Sequence, residues 1–159
     1  MNIVLFEPEI PHNTGAIGRT CLKTGAKLHL IRPLGFFLDE KSLKRAGMDY
    51  WKKISVTEYD NYAHFWDVNF SDKDRGNNPN FFLVETGGEK IYTDAKLQPG
   101  DFLIFGSESK GLPEWLLEKH KDHIISIPML GDERSLNLSV SVGIVLYEAL
   151  RQNGFEGLY

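Results

Sequence analysis

The side chains best suited to chemistry fall in three polar, glycine-bearing segments, at residues 12–19, 106–112 and 129–137. Each segment follows an apolar run that is typical of a buried strand. In a parallel α/β sheet, ligands bind beyond the carboxyl ends of the strands, so we expect the three segments to converge on one site. The candidate polar side chains in them are Asn13, Arg19, Glu108, Ser135 and Asn137.

The first segment, "HNTGAIGR", resembles a phosphate loop but lacks the spacing of either familiar phosphate-binding motif. Arg19 offers a permanent, forked positive charge that suits a phosphate, a carboxylate or the polarisation of a hydroxyl. An ordinary surface arginine near a helix is the alternative. Asn13 could likewise serve only as a helix N-cap.

The second segment, "GSESKGL", contains two glycines that would let the backbone approach a ligand closely, Gly106 and Gly111. Glu108 between two serines is either a solvated loop acid or a group that contacts a ligand. The segment does not complete the G-x-S-x-G turn of a serine hydrolase. The five histidines show no metal-ligand spacing, and Cys21 is the only cysteine, so the sequence predicts neither a metal site nor a disulfide.

The net charge of −4 is unevenly distributed. Residues 19–53 hold nine basic residues against three acidic ones, whereas residues 54–159 hold nine basic and 17 acidic ones. A local basic surface that includes Lys44 and Arg45 could therefore bind a polyanion although the molecule is acidic overall. Solvated helix faces are the alternative explanation.

The elements that must position these residues alternate between strands and helices, which predicts one α/β domain over residues 1–159 with a mainly parallel sheet. We predict strands at 2–6, 28–31, 53–56, 81–84, 101–105 and 123–128, and helices at 14–24, 38–47, 58–68 and 113–120. Residues 71–80 have the composition of a surface loop. No apolar run could span a membrane and no secretory signal is evident, so a cytoplasmic protein is expected.

The last element is ambiguous from its pattern alone. "SLNLSVSV" at 135–142 alternates polar and apolar residues as a strand does, yet Leu138, Val142, Val145 and Ala149 recur at helical spacing. We predict a helix that begins near residue 136.

Taken in order, "NTGAIGRT", "FGSESKGLP" and "IPM…RSLNLSVSVGIVLYEAL" resemble the three motifs of the SPOUT methyltransferases, in the SpoU branch. "EPEIPHNTG", "LHLIRPLGF" and "KRAGMDYW" are similar to its small single-domain members, which methylate the ribose of nucleotide 34 in tRNA. The resemblance covers nearly the whole chain.

The resemblance implies an α/β SPOUT fold with a C-terminal trefoil knot, which general topological rules would not predict. It implies a homodimer with the active site at the subunit interface. The implied cofactor is S-adenosylmethionine, converted to S-adenosylhomocysteine without a metal. The implied substrate is the anticodon stem-loop of tRNA, methylated on the 2′-hydroxyl of cytidine or a modified uridine at position 34.

The resemblance also assigns roles to residues. Arg19 would activate the 2′-hydroxyl with support from Asn13, and Glu108 and Asn137 would complete the catalytic group. Tyr147 would contact the partner subunit or the RNA, unless it is a core tyrosine. Lys44 and Arg45 are the substrate-binding candidates of the basic segment. The cofactor would lie against Val84, Gly106, Ile127, Met129, Leu130, Ser135 and Leu138.

Two other functions remain open at this point. One is 2′-O-methylation of another nucleotide in tRNA or ribosomal RNA. The other is a non-catalytic module that binds S-adenosylmethionine or RNA.

Overall fold

The structure is a computed structural model that describes residues 1–45, 47–71, 79–131 and 134–158. Most of the surface loop predicted at 71–80 therefore lies outside the described residues. The strands are β1 (Asn2–Phe6), β2 (Lys27–Ile31), β3 (Val56–Tyr59), β4 (Phe81–Val84), β5 (Phe102–Phe105) and β6 (Ile124–Ile125). The α-helices are α1 (Pro11–Thr24), α2 (Glu40–Arg45), α3 (Tyr62–Phe70), α4 (Glu114–Lys119) and α5 (Leu138–Gln152).

All six strands form one sheet in the order β3-β2-β1-β5-β4-β6, and every pairing is parallel. The predicted α/β class with a mainly parallel sheet is confirmed. Along the chain, β2 and β3 are added on one side of β1. The chain then crosses to the other side, where β5 lies between β1 and β4. The carboxyl ends of the neighbouring strands β1 and β5 therefore form the switch point at which open α/β sheets bind ligands.

Both faces of the sheet are buried, which explains the continuous apolar strands. Ile3 and Leu5 of β1 face a core that includes α1 and α5, while Val4 and Phe6 face a second core that includes α3 and α4. The predicted final helix is confirmed as α5, whose Val142, Val145, Leu146 and Ala149 are buried in the first core.

Four strand predictions differ from the structure in their bounds, those at 28–31 and 101–105 by one residue and those at 53–56 and 123–128 by up to three. Residues 51–53 form a 3-10 helix, and β3 begins only at Val56, which pairs with Leu28. The last strand keeps only Ile124 and Ile125, because β4 offers only Leu83 and Val84 as partners there.

The helix predictions hold in place but not always in length. The helix predicted at 14–24 begins three residues earlier, at Pro11, and ends at Gly25, whose φ of 70° makes it the expected C-terminal stop. The helix predicted at 58–68 runs from Tyr62, after Asn61 caps it by accepting a hydrogen bond from the His64 N–H. None of the helices in the described part of the chain combines the length and apolar character that crossing a bilayer requires.

A buried histidine in β2 links β1, β2 and β3 through side-chain hydrogen bonds. His29 is 5% exposed, its Nδ1 lies 2.9 Å from the Tyr59 hydroxyl, and its Nε2 lies 3.1 Å from Asn2 Oδ1. Because Asn2 Oδ1 can only accept, Nε2 carries the proton and Nδ1 accepts from Tyr59, whose oxygen in turn accepts from Asn69. Burial, and to a smaller extent Lys27, lowers the pKa of His29 from 6.5 to about 4.

We expect this histidine to make the protein acid-sensitive. The unfolded chain binds a proton at His29 near pH 6.5 and the folded chain only near pH 4, so stability is full above pH 6.5 and falls between these values. The loss amounts to at most about 3 kcal/mol. Urea unfolding across this pH range should show a shallower decline in His29→Gln than in the parent or in His12→Gln, which changes an exposed histidine. Equal slopes in all three proteins would refute the assignment.

Candidate active site

The three polar segments meet through one carboxylate and two amides. Glu108 Oε1 accepts hydrogen bonds from Asn13 Nδ2 at 3.1 Å and from the Ile10 N–H at 3.1 Å, and Oε2 accepts from the Glu9 N–H at 2.7 Å. Asn137 Nδ2 donates to Asn13 Oδ1 at 3.0 Å. We call Asn13, Glu108 and Asn137 the hub. The predicted convergence of the three segments is confirmed, and Glu108 is not a merely solvated loop acid.

Asn13 does not cap helix α1, so that alternative was wrong. The N-cap is Ile10, which makes no side-chain cap, and Pro11 occupies the first turn. The backbone N–H groups at the start of a helix lack intrahelical partners and carry partial positive charge. The Glu108 carboxylate accepts the N–H of Ile10 and thus takes the place of a local cap, supplied from about a hundred residues away in sequence.

A second carboxylate joins the same two segments in the opposite direction. Glu9 accepts from the Ser109 N–H at 2.8 Å and from the Ser109 hydroxyl at 2.7 Å. These hydrogen bonds lower the pKa of Glu9 below its ordinary value. Glu9 and Glu108 therefore clamp the loop after β1 to the loop after β5 from both sides.

The loop at 106–112 is closed on itself. Ser107 and Gly111 exchange two backbone hydrogen bonds, of 3.2 and 2.9 Å, and Gly111 has a φ of 66°. A Cβ atom on Gly106 would lie 2.0 Å from the Gly111 carbonyl carbon. Gly106 thus allows close approach of the loop's own backbone, and its contact with a cofactor stays a prediction.

Glu85 holds the far end of this loop. It follows β4 directly, and its Oε2 accepts from the Leu112 N–H at 2.8 Å. A Cβ on Gly111 would already lie 2.7 Å from the same oxygen. The loop after β5 therefore donates hydrogen bonds to an acid on each side, Glu9 after β1 and Glu85 after β4.

Arg19 lies outside the hub, on the exposed face of α1. Its guanidinium carbon is 4.9 Å from the centre of the Tyr50 ring, and the Tyr50 hydroxyl donates to the Gly15 carbonyl at 2.7 Å. Tyr50 therefore positions Arg19 through a cation–π contact. The expected support from Asn13 is not direct, because the Asn13 amide is directed to Glu108 and Asn137.

Five of the predicted cofactor residues end or follow β4, β5 and β6, which are adjacent in the sheet: Val84, Gly106, Ile127, Met129 and Leu130. Ser135 precedes α5, and Leu138 is its first residue. Val84 and Gly106 are buried and Ile127 and Leu138 are partly buried, whereas Ser135 is exposed. Met129 is 41% exposed and Leu130 is fully exposed. The exposed apolar side chains of Met129 and Leu130 are free of a core role and are available to contact a partly apolar ligand.

The substrate candidates are all on the surface. Lys44 and Arg45 are exposed in α2, and Tyr147 is 49% exposed on α5, so its alternative as a core tyrosine was wrong. Within the described residues, no three His, Cys, Asp or Glu side chains are grouped so as to hold a metal ion.

The sequence profile of the SpoU rRNA methylase family matches residues 1–147. This span contains all three hub residues and the beginning of α5. The chain belongs to the SpoU methylase family. The predicted resemblance is thereby confirmed.

This SpoU protein is similar over almost its whole length to proteins that are named as tRNA methyltransferases. It is 44% identical over 158 residues to the tRNA (cytidine(34)-2′-O)-methyltransferase of Escherichia coli strain K12, covering 99% of this chain and 96% of that one. It is 45% identical over 159 residues to the protein of the same name from Yersinia pestis, with the same coverage of 99% and 96%.

Solved structures agree with the sequence comparison. A structure from work on the 2-OH methylation of C/U34 on tRNA has a TM-score of 0.85 and 42% identity, covering 98% of this chain and 97% of that one. The SpoU methyltransferase AviRb of Streptomyces viridochromogenes, solved with S-adenosylmethionine, has a TM-score of 0.84 at 24% identity, covering 96% of this chain and 57% of that one. At that identity the second match shows the shared fold.

Sequence reasoning missed several residues that build this SpoU site. Glu85 follows β4 directly and Glu9 comes shortly after β1. Their positions at the ends of buried strands could have marked both acids as site residues. No sequence feature marks Ser109 or Tyr50 as a site residue, because the side chains that they contact, Glu9 and Arg19, are distant in sequence.

We expect Glu108→Gln to weaken the site and the fold together. The neutral amide has only one acceptor oxygen. Its NH₂ group would face N–H groups that donate hydrogen bonds to the carboxylate in the parent, and two donors cannot pair. Unpaired N–H groups at this partly buried position should lower the free energy of unfolding by about 1–3 kcal/mol. Urea unfolding measures the change, with Glu118→Gln on the exposed face of α4 as the control. Indistinguishable stabilities would show that Glu108 does not hold the loops.

Proposed function

We propose that this chain transfers the methyl group of S-adenosylmethionine to the ribose 2′-hydroxyl of nucleotide 34 in tRNA, a cytidine or a modified uridine. The observation that carries the proposal is the match, over 99% of the chain, to enzymes named for cytidine 34. The hub supports it, because the three motif segments meet at the switch point of the sheet.

The cofactor site that we propose is formed by the segments that follow β4, β5 and β6. Val84, Ile127, Met129, Leu130 and Leu138 would supply its apolar wall, and backbone groups near Gly106 together with Ser135 its polar contacts. When bound, S-adenosylmethionine supplies an electrophilic methyl group on a sulfonium. Methyl transfer is then an in-line displacement, so the rigidity that Glu108 and Glu85 give the loop contributes by positioning.

Arg19 is the proposed catalytic group on the RNA side. A guanidinium holds its proton, so its role is to orient the 2′-hydroxyl or a neighbouring phosphate and to stabilise the negative charge that develops on the oxygen. Exposure on α1 leaves it accessible to RNA, and the Tyr50 ring limits its orientations. Asn13, Glu108 and Asn137 act indirectly, because their hydrogen bonds fix the start of α1, the helix that carries Arg19.

A homodimer with the active site at its interface is part of the proposal. Leu136, Val140 and Tyr147 are 39%, 48% and 49% exposed, and their spacing places them along one side of α5 and the residues just before it. Apolar groups at this spacing favour packing against another helix. Since α5 packs on α1, a partner bound there would lie close to the helix that carries Arg19. The C-terminal trefoil knot also stays a prediction, supported by fold similarity to SpoU enzymes.

Arg19→Ala should lower the rate of labelled methyl transfer to tRNA about 10²- to 10³-fold, the cost of removing one group that stabilises developing charge. The matched control is Lys23→Ala, which removes an exposed positive charge from the next turn of the same helix. Calorimetry of S-adenosylmethionine binding should give the parent affinity in both variants. Full methyl transfer by Arg19→Ala would rule out its proposed role.

Charge reversal at Lys44 or Arg45 should weaken tRNA binding and flatten its salt dependence. Each lost phosphate contact reduces the slope of log K against log[salt] by roughly 0.7–0.9. Filter binding over a salt series measures the slope, and Lys96→Glu, at an exposed site elsewhere, is the control. An unaltered slope would show that Lys44 and Arg45 are solvated surface residues that take no part in tRNA binding.

A further inference from the structure

A recess beside the start of α1 has no part in the hub. It has a volume of about 380 Å³ and is lined by Pro11, Phe36, Phe37, Ser42, Arg45 and Met48. Phe37 is 81% exposed, although phenylalanine has no polar group to hydrate. A largely exposed aromatic ring beside an apolar recess marks a candidate binding surface.

The segment that carries Phe37 is fixed to the same backbone as the hub. The Gly35 N–H donates to the Pro8 carbonyl at 2.9 Å, and a Cβ atom on Gly35 would lie 2.7 Å from Glu9 Cα. Only glycine permits this approach. Glu9 and the following residue are in turn held by Glu108. The ring is therefore presented from a segment that is anchored beside the catalytic loops.

The floor of the recess is anchored to α1 in the same way. Met48 is buried, and its sulfur would lie 2.8 Å from a Cβ on Gly15. Gly15 is also the residue whose carbonyl accepts from Tyr50, the ring beneath Arg19. The recess and Arg19 thus share one supporting turn of helix.

The charge around the recess is net positive, because residues 39–53 hold five basic side chains against three acidic ones. Glu40 pairs with Lys52 at 2.7 Å, and Asp39, which remains an anion, accepts from both the N–H and the hydroxyl of Ser42. Lys44 and Arg45 are exposed on the same short helix, and Arg45 lines the recess itself. An aromatic ring beside cations suits single-stranded nucleic acid, whose bases stack on aromatic rings while its phosphates meet positive charge.

We propose that Phe37 stacks on an unpaired nucleobase of the RNA substrate, adjacent in the loop to the methylated nucleotide, while Arg45 contacts the phosphate beside that base. This inference rests on the proposed function, in which RNA is the substrate. Phe37 is then a positioning residue: it holds the loop so that the target ribose reaches Arg19. No base-specific hydrogen bond is involved, so the stack tolerates any base.

The first test measures affinity for an anticodon stem-loop RNA at fixed salt. Phe37→Ala should bind roughly 5- to 150-fold more weakly, the range found when a stacking aromatic is removed. Phe37→Tyr should bind like the parent, because it keeps the ring. Val68→Ala, which removes a 52% exposed apolar side chain from α3, is the control. The melting temperature of each variant checks that the exposed substitutions leave the fold intact.

The second test identifies the stacked base. Stem-loops with one abasic nucleotide at each loop position are bound to the parent and to Phe37→Ala. At one position beside nucleotide 34, base removal should weaken binding to the parent yet have no further effect on Phe37→Ala. Such coupling is specific to a direct contact, which a general loss of stability would not produce.

The outcomes separate this inference from the proposed function, which is tested by methyl transfer at nucleotide 34. Weakened RNA binding that tyrosine rescues supports the stack even if that methyl transfer is absent. Unchanged binding by Phe37→Ala, or the absence of coupling at every loop position, overturns the stack even if methyl transfer is normal. A change in sedimentation without a change in RNA affinity overturns it as well, because the recess would then hold a second copy of the chain.

Discussion

Three hydrogen bonds accepted by one carboxylate set the geometry of this site. Glu108 binds the N–H groups of Glu9 and Ile10 and the amide of Asn13, and Asn13 passes the connection on to Asn137. A charged acceptor strengthens such bonds to roughly twice the neutral value. The carboxylate accepts the N–H of Ile10, the N-cap of α1, and at the same time connects the three loops, so one side chain serves both helix capping and site assembly.

The sheet order makes this interaction possible. Because β5 returns to the side of β1, loops about a hundred residues apart in sequence leave the sheet at neighbouring positions. Glu85 after β4 and Glu9 after β1 then hold the loop after β5 from its two sides by accepting hydrogen bonds from its backbone. Arg19 lies apart from the hub on the exposed face of α1, where it contacts the Tyr50 ring.

The sequence predicted what depends on local pattern. β1 and β4 match residue for residue, because continuous apolar runs bounded by polar residues specify buried strands. β3 was misplaced since Ile54 and Val56 satisfy a strand pattern, while pairing with β2 decides where the strand begins. Asn13, Glu108 and Asn137 were singled out as site residues, but the hydrogen bonds that join them, and the N–H groups of Glu9 and Ile10 that donate to Glu108, were not predicted. Those partners depend on strand order, which spacing along the chain does not encode.

The central claim is that the hub assembles a site that methylates one ribose. Mass-spectrometric mapping of tRNA from cells that lack this protein tests it most directly, with the parent gene or Glu108→Gln returned to those cells. We predict that the 2′-O-methyl group at nucleotide 34 is absent, that the parent restores it, and that Glu108→Gln does not. Methylation of nucleotide 34 that persists without the protein, or full restoration by Glu108→Gln, would contradict the account.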